Sequence, residues 1–140
     1  QRTVLDQGFY PDGIWTAPSD AALKNDIALS QACGFNGARL HQKVFEPRFL
    51  YWADVLGYLV WGEYPNWGLR YGAPGVDLTV MQEWVEILRR DRNHPAVIGW
   101  CPFNETPGEA VPLQNAVVRV THAIDPSRPI IDSSRRCVWR

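Results

Sequence analysis

Cysteine is scarce in this chain: three residues, Cys33, Cys101 and Cys137, in 140. Three is an odd number, and none are in C-x-x-C spacing, so neither a fully paired disulfide framework nor a cysteine-rich zinc site is expected. Charge of one sign is also missing. Fourteen basic residues meet fifteen acidic ones for a net charge of −1, which argues against a domain held to nucleic acid by phosphate contacts. No apolar run is long enough to cross a bilayer, and Gln1 to Gln7 lacks the apolar stretch of a signal peptide. Glycine does not gather into a phosphate loop: Leu5-Asp6-Gln7-Gly8-Phe9-Tyr10-Pro11 holds neither G-x-G-x-x-G nor a P-loop. What the chain has in abundance is tryptophan, seven residues, within a composition that is 46% hydrophobic and 21% charged. That is enough to build one core. Indole suits a core or a carbohydrate platform equally well.

Strand and helix signals alternate. Thr3–Gly8 reads as a strand. Ser19 reads as the N-cap of a helix that carries Leu23, Ile27, Leu29 and Cys33 and stops at Gly34. Asn36–Leu40 is a second strand. Pro47 opens a second helix that Gly57 closes. Tyr58–Trp61 is a third strand, and Asp77 is placed to cap a third helix through Leu88. Ala96–Trp100 is a fourth strand, Pro112 introduces a fourth helix, Asp125-Pro126 breaks it, and Pro129–Asp132 is a short fifth strand. Units of about 30 residues with short apolar strands predict a parallel sheet buried on both faces, joined by right-handed crossovers. Polar and aromatic residues collect after several strands. That favours an α/β partial (β/α)8 barrel over an open nucleotide-binding sheet. A complete barrel takes roughly 250 residues, so residues 1–140 read as the first four to five βα units, a half-barrel. Such a half leaves sheet edges to be covered by the rest of a barrel or by another copy.

The richest stretch is Asp91-Arg92-Asn93-His94-Pro95-Ala96-Val97-Ile98-Gly99-Trp100-Cys101-Pro102-Phe103-Asn104-Glu105. It reads as a loop, a buried strand, then an amide and a carboxylate at the strand's C-terminal end. A carboxyl at a barrel mouth between aromatic walls can be desolvated and serve as a general acid; a solvated helix-start glutamate is the plain alternative. The stretch resembles the acid/base signature of family 2 glycoside hydrolases, the β-galactosidases, β-glucuronidases and β-mannosidases, with Asp91, Asn93, His94, Pro95, Trp100, Asn104 and Glu105 at its positions. Gly99 and Cys101 depart from it. Gly34-Phe35-Asn36-Gly37-Ala38-Arg39-Leu40-His41 and Trp61-Gly62-Glu63-Tyr64-Pro65 resemble two further segments of the family. After the first of them the family carries an aromatic and a proline where this chain has Gln42 and Lys43.

The resemblance implies a retaining exo-β-glycosidase, β-galactosidase-like, with Glu105 as acid/base and Asn104 on the sugar. It also implies that the nucleophile stands on a later strand, outside these residues, so that the chain alone is inactive. Arg39, His41, Glu63 and Trp67 are the further candidates for substrate binding. Arg39 reads either as an ion-pair partner that orients a glutamate or as a direct sugar contact. Carbohydrate is the expected partner, with no nucleic acid and no membrane. No organic cofactor is implied; some family members hold a divalent cation, for which Glu63, His41 and Glu105 are the hard ligands. His94 is expected on the far side of the barrel as a structural residue. Residues 133–140 look unlike the family's continuation and read as a non-native tail. A sugar-binding module without catalysis and a self-assembling half-barrel are the other readings.

Overall fold

The computed structural model describes residues 1–134. Among them β1 (Thr3–Asp6), β2 (Gly37–Leu40), β3 (Leu59–Glu63) and β4 (Val97–Cys101) form one sheet in the order β1-β2-β3-β4, every pair parallel. Between them run α1 (Asp20–Ala32), α2 (Pro47–Leu56) and α3 (Val76–Asp91); α4 (Val111–Ile124) follows β4 after a 3₁₀ turn at Gly108–Ala110. Sequential order with right-handed crossovers sets all helices on one face of the sheet. This is the partial (β/α)8 barrel expected. The fifth strand is reduced to parallel bridges from Ile130 to Trp100 and from Ser133 to Phe103.

Local chemistry explains the boundaries. Ser19 caps α1 by accepting from Ala22 N. Pro47 stands in the first turn of α2, and Gly57 ends that helix at φ 65°. Asp77 is not the cap of α3: Gly75 is, at φ 85°, and Asp77 lies in the first turn, where its charge complements the helix dipole. At the end of α3, Arg89, Arg90 and Arg92 cluster around Asp91. Asp91 is buried, and Arg90 forks onto it while donating to Phe45 O at 2.8 Å, which ties α3 to the chain before α2.

The core lies between sheet and helices. Ala38, Leu40, Val60 and Trp100 from the strands meet Leu23, Ile27, Phe49, Leu50, Ala53, Trp84 and Leu88. Trp84 and Trp100 pack edge to face at 5.6 Å, and each indole N–H has a partner, Thr121 Oγ1 and Asp125 Oδ2. Burial on both faces was expected; on the other face it holds at β4 and falls off toward β1. Leu5, Arg39, Trp61 and Gly99 share one row by register, and Leu5 is 52% exposed with Trp61 only partly covered.

Candidate active site

Parallel strands deliver their C-terminal ends to one rim, and the site is built there. Glu63, the last residue of β3, is its hub, with a side chain wholly removed from solvent. Its Oε2 accepts from Arg39 Nε at 2.5 Å, and its Oε1 accepts from the Gln42 backbone N–H at 3.0 Å. His41 Nδ1 stands 2.9 Å from the same Oε1, off the line needed for a hydrogen bond. Glu63 was expected among the substrate-binding residues; here it pairs with Arg39, the ion pair that was one of the two readings of Arg39.

From Arg39 the contacts close into a ring. Arg39 Nη2 donates to Asn104 Oδ1 at 3.0 Å. The Asn104 backbone exchanges two bonds with Asn66: its N–H donates to Asn66 Oδ1, and its carbonyl accepts from Asn66 Nδ2, both at 2.9 Å. Asn66 Oδ1 also accepts from Gln42 Nε2 at 2.7 Å, and Gln42 returns to Glu63. Asn66 Nδ2 donates in addition to Tyr71 at 2.9 Å, so this buried loop amide uses its full capacity. Since guanidinium only donates, the Arg39 contact fixes which end of the Asn104 amide is oxygen. Ser134 Oγ, 2.8 Å from the same Oδ1, completes its acceptance. The amide nitrogen of Asn104 is the end left to donate elsewhere.

Glu105 follows at φ 48°, in the left-handed region that non-glycine residues rarely occupy. It is partly exposed and lines a cleft of about 620 Å³ together with Asn104, His41, Gln42, Trp67 and the loop after β1. Trp67 stands at the rim, 72% exposed, its backbone N–H bound to Gln42 Oε1 at 2.8 Å. Asn104, Glu105, His41 and Trp67 therefore share one cavity, which Arg39 and Glu63 do not line. Among the described residues no three His, Cys, Asp or Glu side chains meet as a metal site, so His41, Glu63 and Glu105 do not assemble the hard-ligand set.

His94 sits at the opposite rim, its Nδ1 2.6 Å from Asp54 Oδ2, as a structural residue should. Gln42, Asn66 and Ser134 were not singled out as site residues. Gln42 carried a signal, as a departure from the family pattern. Asn66 sits in the loop that also carries Trp67, with no local signal of its own. Ser134 falls in the stretch read as a tail, and the rest of that stretch, 135–140, lies outside the described residues.

An amide and a carboxylate follow the end of β4, and Arg39, from two strands away, holds the amide. Residues 17–136 match the family described as Glycosyl hydrolases family 2, TIM barrel domain. The chain belongs to this family. The human β-glucuronidase is 32% identical over 117 residues, covering 77% of this chain and 18% of that protein. A putative β-glucuronidase of Formosa agariphila is 29% identical over 121 residues, covering 83% of this chain and 11% of that protein. The chain thus spans less than a fifth of the length of these relatives. The β-glucuronidase structure of Bacteroides uniformis superposes with a TM-score of 0.82 at 22% identity over 92% of this chain and 17% of its own. A β-galacturonidase of Eisenbergiella tayi, bound to galacturonate, gives 0.78 at 23% over 91% of this chain and 24% of its own. At such identities these two speak for the fold.

Two of this family-2 chain's departures have a structural reason. A Cβ at Gly99 would come 2.5 Å from Trp61 Cζ3, so Gly99 makes room for the indole on the next strand. Cys101 is buried, its thiol pushed up to about 11 by burial, and it donates to Phe103 O at 3.5 Å. It is an inert filler there.

Proposed function

We propose that this chain supplies the acid/base side of a retaining exo-β-glycosidase site. The observation that carries the reading is Glu105, directly after an oriented Asn104, lining an aromatic-rimmed cleft at the C-terminal end of β4. In this reading Glu105 protonates the glycosidic oxygen as the bond to the leaving group breaks. It then takes a proton from the water that releases the sugar. Asn104 donates its amide N–H to a sugar hydroxyl, an interaction that strengthens as the oxocarbenium-like transition state forms. Arg39 and Glu63 keep that amide oriented, and His41 and Trp67 line the sugar's place.

A retaining mechanism needs a second carboxylate about 5–5.5 Å from the first. Glu63 does not fill that role, being sealed under Arg39 and Gln42. We assign the nucleophile to a residue outside these four units. The names of the relatives make β-glucuronides and related uronides the first substrates to try, beside the β-galactosides the motif suggests.

The test is hydrolysis by the purified chain of 4-nitrophenyl β-D-glucuronide, β-D-galacturonide and β-D-galactoside, with calorimetry of the methyl glycosides alongside. Background hydrolysis with measurable binding, weakened in Asn104→Ala, is the expected result. Rapid turnover lost in Glu105→Gln would show that the nucleophile is already present. Binding untouched by Asn104→Ala and Glu105→Gln would refute the site.

A further inference from the structure

The loop between β1 and α1 carries large apolar side chains that the core does not use. Phe9 is 57% and Trp15 62% exposed, their rings 5.5 Å apart and tilted by 55°. Both line the cleft that holds Asn104 and Glu105, with Trp67 also on its lining. Exposed aromatics grouped on one wall of a cleft, beside polar groups that fix orientation, are the composition of a ligand site.

The loop is also held in shape. Lys43 Nζ donates to Gly8 O and to Trp15 O, both at 2.5 Å, so one ammonium straps the two ends of the segment that bears Phe9 and Trp15. The ammonium lies 5.2 Å from the Phe45 ring, and burial lowers its pKa against the pull of Glu46 and Asp6. Tyr10 and Ile14 exchange backbone hydrogen bonds inside the loop, with Ile14 at φ 55°, a costly conformation for a β-branched side chain. Gly8, at φ 63°, leaves no room for a Cβ, which would fall 2.8 Å from Phe45 and 3.0 Å from Lys43 Nζ. Lys43 and Gln42 occupy the two positions after the β2 segment where this chain departs from the family's aromatic and proline. Gln42 holds Trp67, and Lys43 holds Trp15.

We propose that Phe9 and Trp15 form a second ring-binding subsite of this cleft. It stacks on the flat ring joined to the sugar through the glycosidic bond, and Lys43 is its positioning residue. This rests on the glycosidase reading. Its ligand chemistry is a flat apolar ring face, offered alike by an aryl group and by the C–H face of a second pyranose.

The experiment is titration of the 140-residue chain with methyl β-D-glucuronide, phenyl β-D-glucuronide and a glucuronosyl–glucose disaccharide, and with the three corresponding galactosides. Binding is followed by ligand-observed NMR, with far-UV circular dichroism on every variant. The phenyl compound binds about 3–10-fold more tightly than the methyl one, the range expected of one aromatic pair. That gain disappears in Trp15→Ala and Lys43→Met and persists in Trp15→Phe. An equal gain for the disaccharide assigns the subsite to sugar, and a gain confined to the phenyl compound assigns it to aryl groups. Equal affinity of methyl, phenyl and disaccharide compounds, or a gain indifferent to Trp15→Ala, overturns the subsite while leaving the glycosidase reading in place. A phenyl gain that depends on Trp15 while Asn104→Ala and Glu105→Gln change no affinity keeps the subsite and removes the glycosidase reading. Absence of all binding removes both.

Discussion

Arg39 is the residue on which the pocket floor depends. Its guanidinium holds a carboxylate with no solvent contact on one side and the Asn104 amide on the other. Desolvating Glu63 is costly, and the pairing offsets that cost only while the cation is present. Arg39→Met is therefore expected to lower the unfolding free energy by about 3–5 kcal/mol, the range for stranding a buried charge. Arg39→Met with Glu63→Leu should recover most of it, as urea titrations of the three proteins would reveal. Equal losses in the single and double variants would contradict the assignment. Sequence alone left Arg39 between two roles because one-dimensional spacing does not say which carboxylate a guanidinium reaches. Asn66 and Gln42 were illegible as site residues for the same reason. Their function is a set of hydrogen bonds to residues 21 to 38 positions away, a closure that no local pattern encodes.

Strands and helices were far more readable, because their determinants are local. Ser19, Pro47 and Gly57 mark their boundaries through capping, fixed φ and left-handed φ, each a property of one residue. Asp77 misled because an acidic residue suits both a cap and a first turn. Burial of the sheet's second face fades from Gly99 to Leu5, and apolar strand residues do not announce which layer covers them. How β3 and β4 interlock was equally hidden. Gly62 lies under Trp100 and Gly99 under Trp61, and in both places an added Cβ would sit 2.5 Å from a ring carbon. Trp100 is fully buried and fixed by Trp84 and Asp125, whereas Trp61 borders open space. Gly62→Ala is accordingly expected to cost about 1–3 kcal/mol, in the range of overpacked cores, and Gly99→Ala distinctly less. Thermal unfolding of the pair checks the ranking, which the reverse order would refute.

Asp125, just beyond α4, ties that helix to β4. Burial acts to raise its pKa, but hydrogen bonds from Ser127 and Trp100 and the charge of Arg128 prevail, and the net direction is downward. A carboxyl with a lowered folded pKa adds stability above its unfolded value, and that stability is lost as pH falls through the folded value. Below the ordinary aspartate value of 3.8, the chain should lose stability as pH falls. Asp125→Asn should flatten that segment of the urea-midpoint profile and lower the midpoint at neutral pH. An unchanged profile would contradict the link.

Taken entire, the described chain is a run of four βα units whose helix-side core is closed and whose opposite face is exposed at β1. Leu5 is 52% and Ile131 46% exposed, and β1 stands at a sheet edge. Unpaired strand edges beside apolar surface invite association. Sedimentation equilibrium of the isolated chain is expected to show dimers or larger species that dissociate with Leu5→Lys. A monomer across the micromolar range would contradict this. The fold class was legible because alternation of strand and helix signals is a global pattern carried by every unit. The site was legible where one motif, Asn93 to Glu105, packs its chemistry into consecutive residues.

The claim beneath all of this is that Glu105 faces the glycosidic oxygen of a bound sugar. An N-bromoacetyl β-glycosylamine places its amide nitrogen at that oxygen's position and an alkylating carbon two bonds beyond it, where a nearby carboxylate displaces bromide to form an ester. Treated with the glucuronosyl and galactosyl forms and mapped by peptide mass spectrometry, the chain should carry the label on Glu105. Excess methyl glycoside should protect it, and Glu105→Gln should remain unlabelled. Label on other residues with Glu105 untouched, or labelling indifferent to the competing glycoside, would contradict the account.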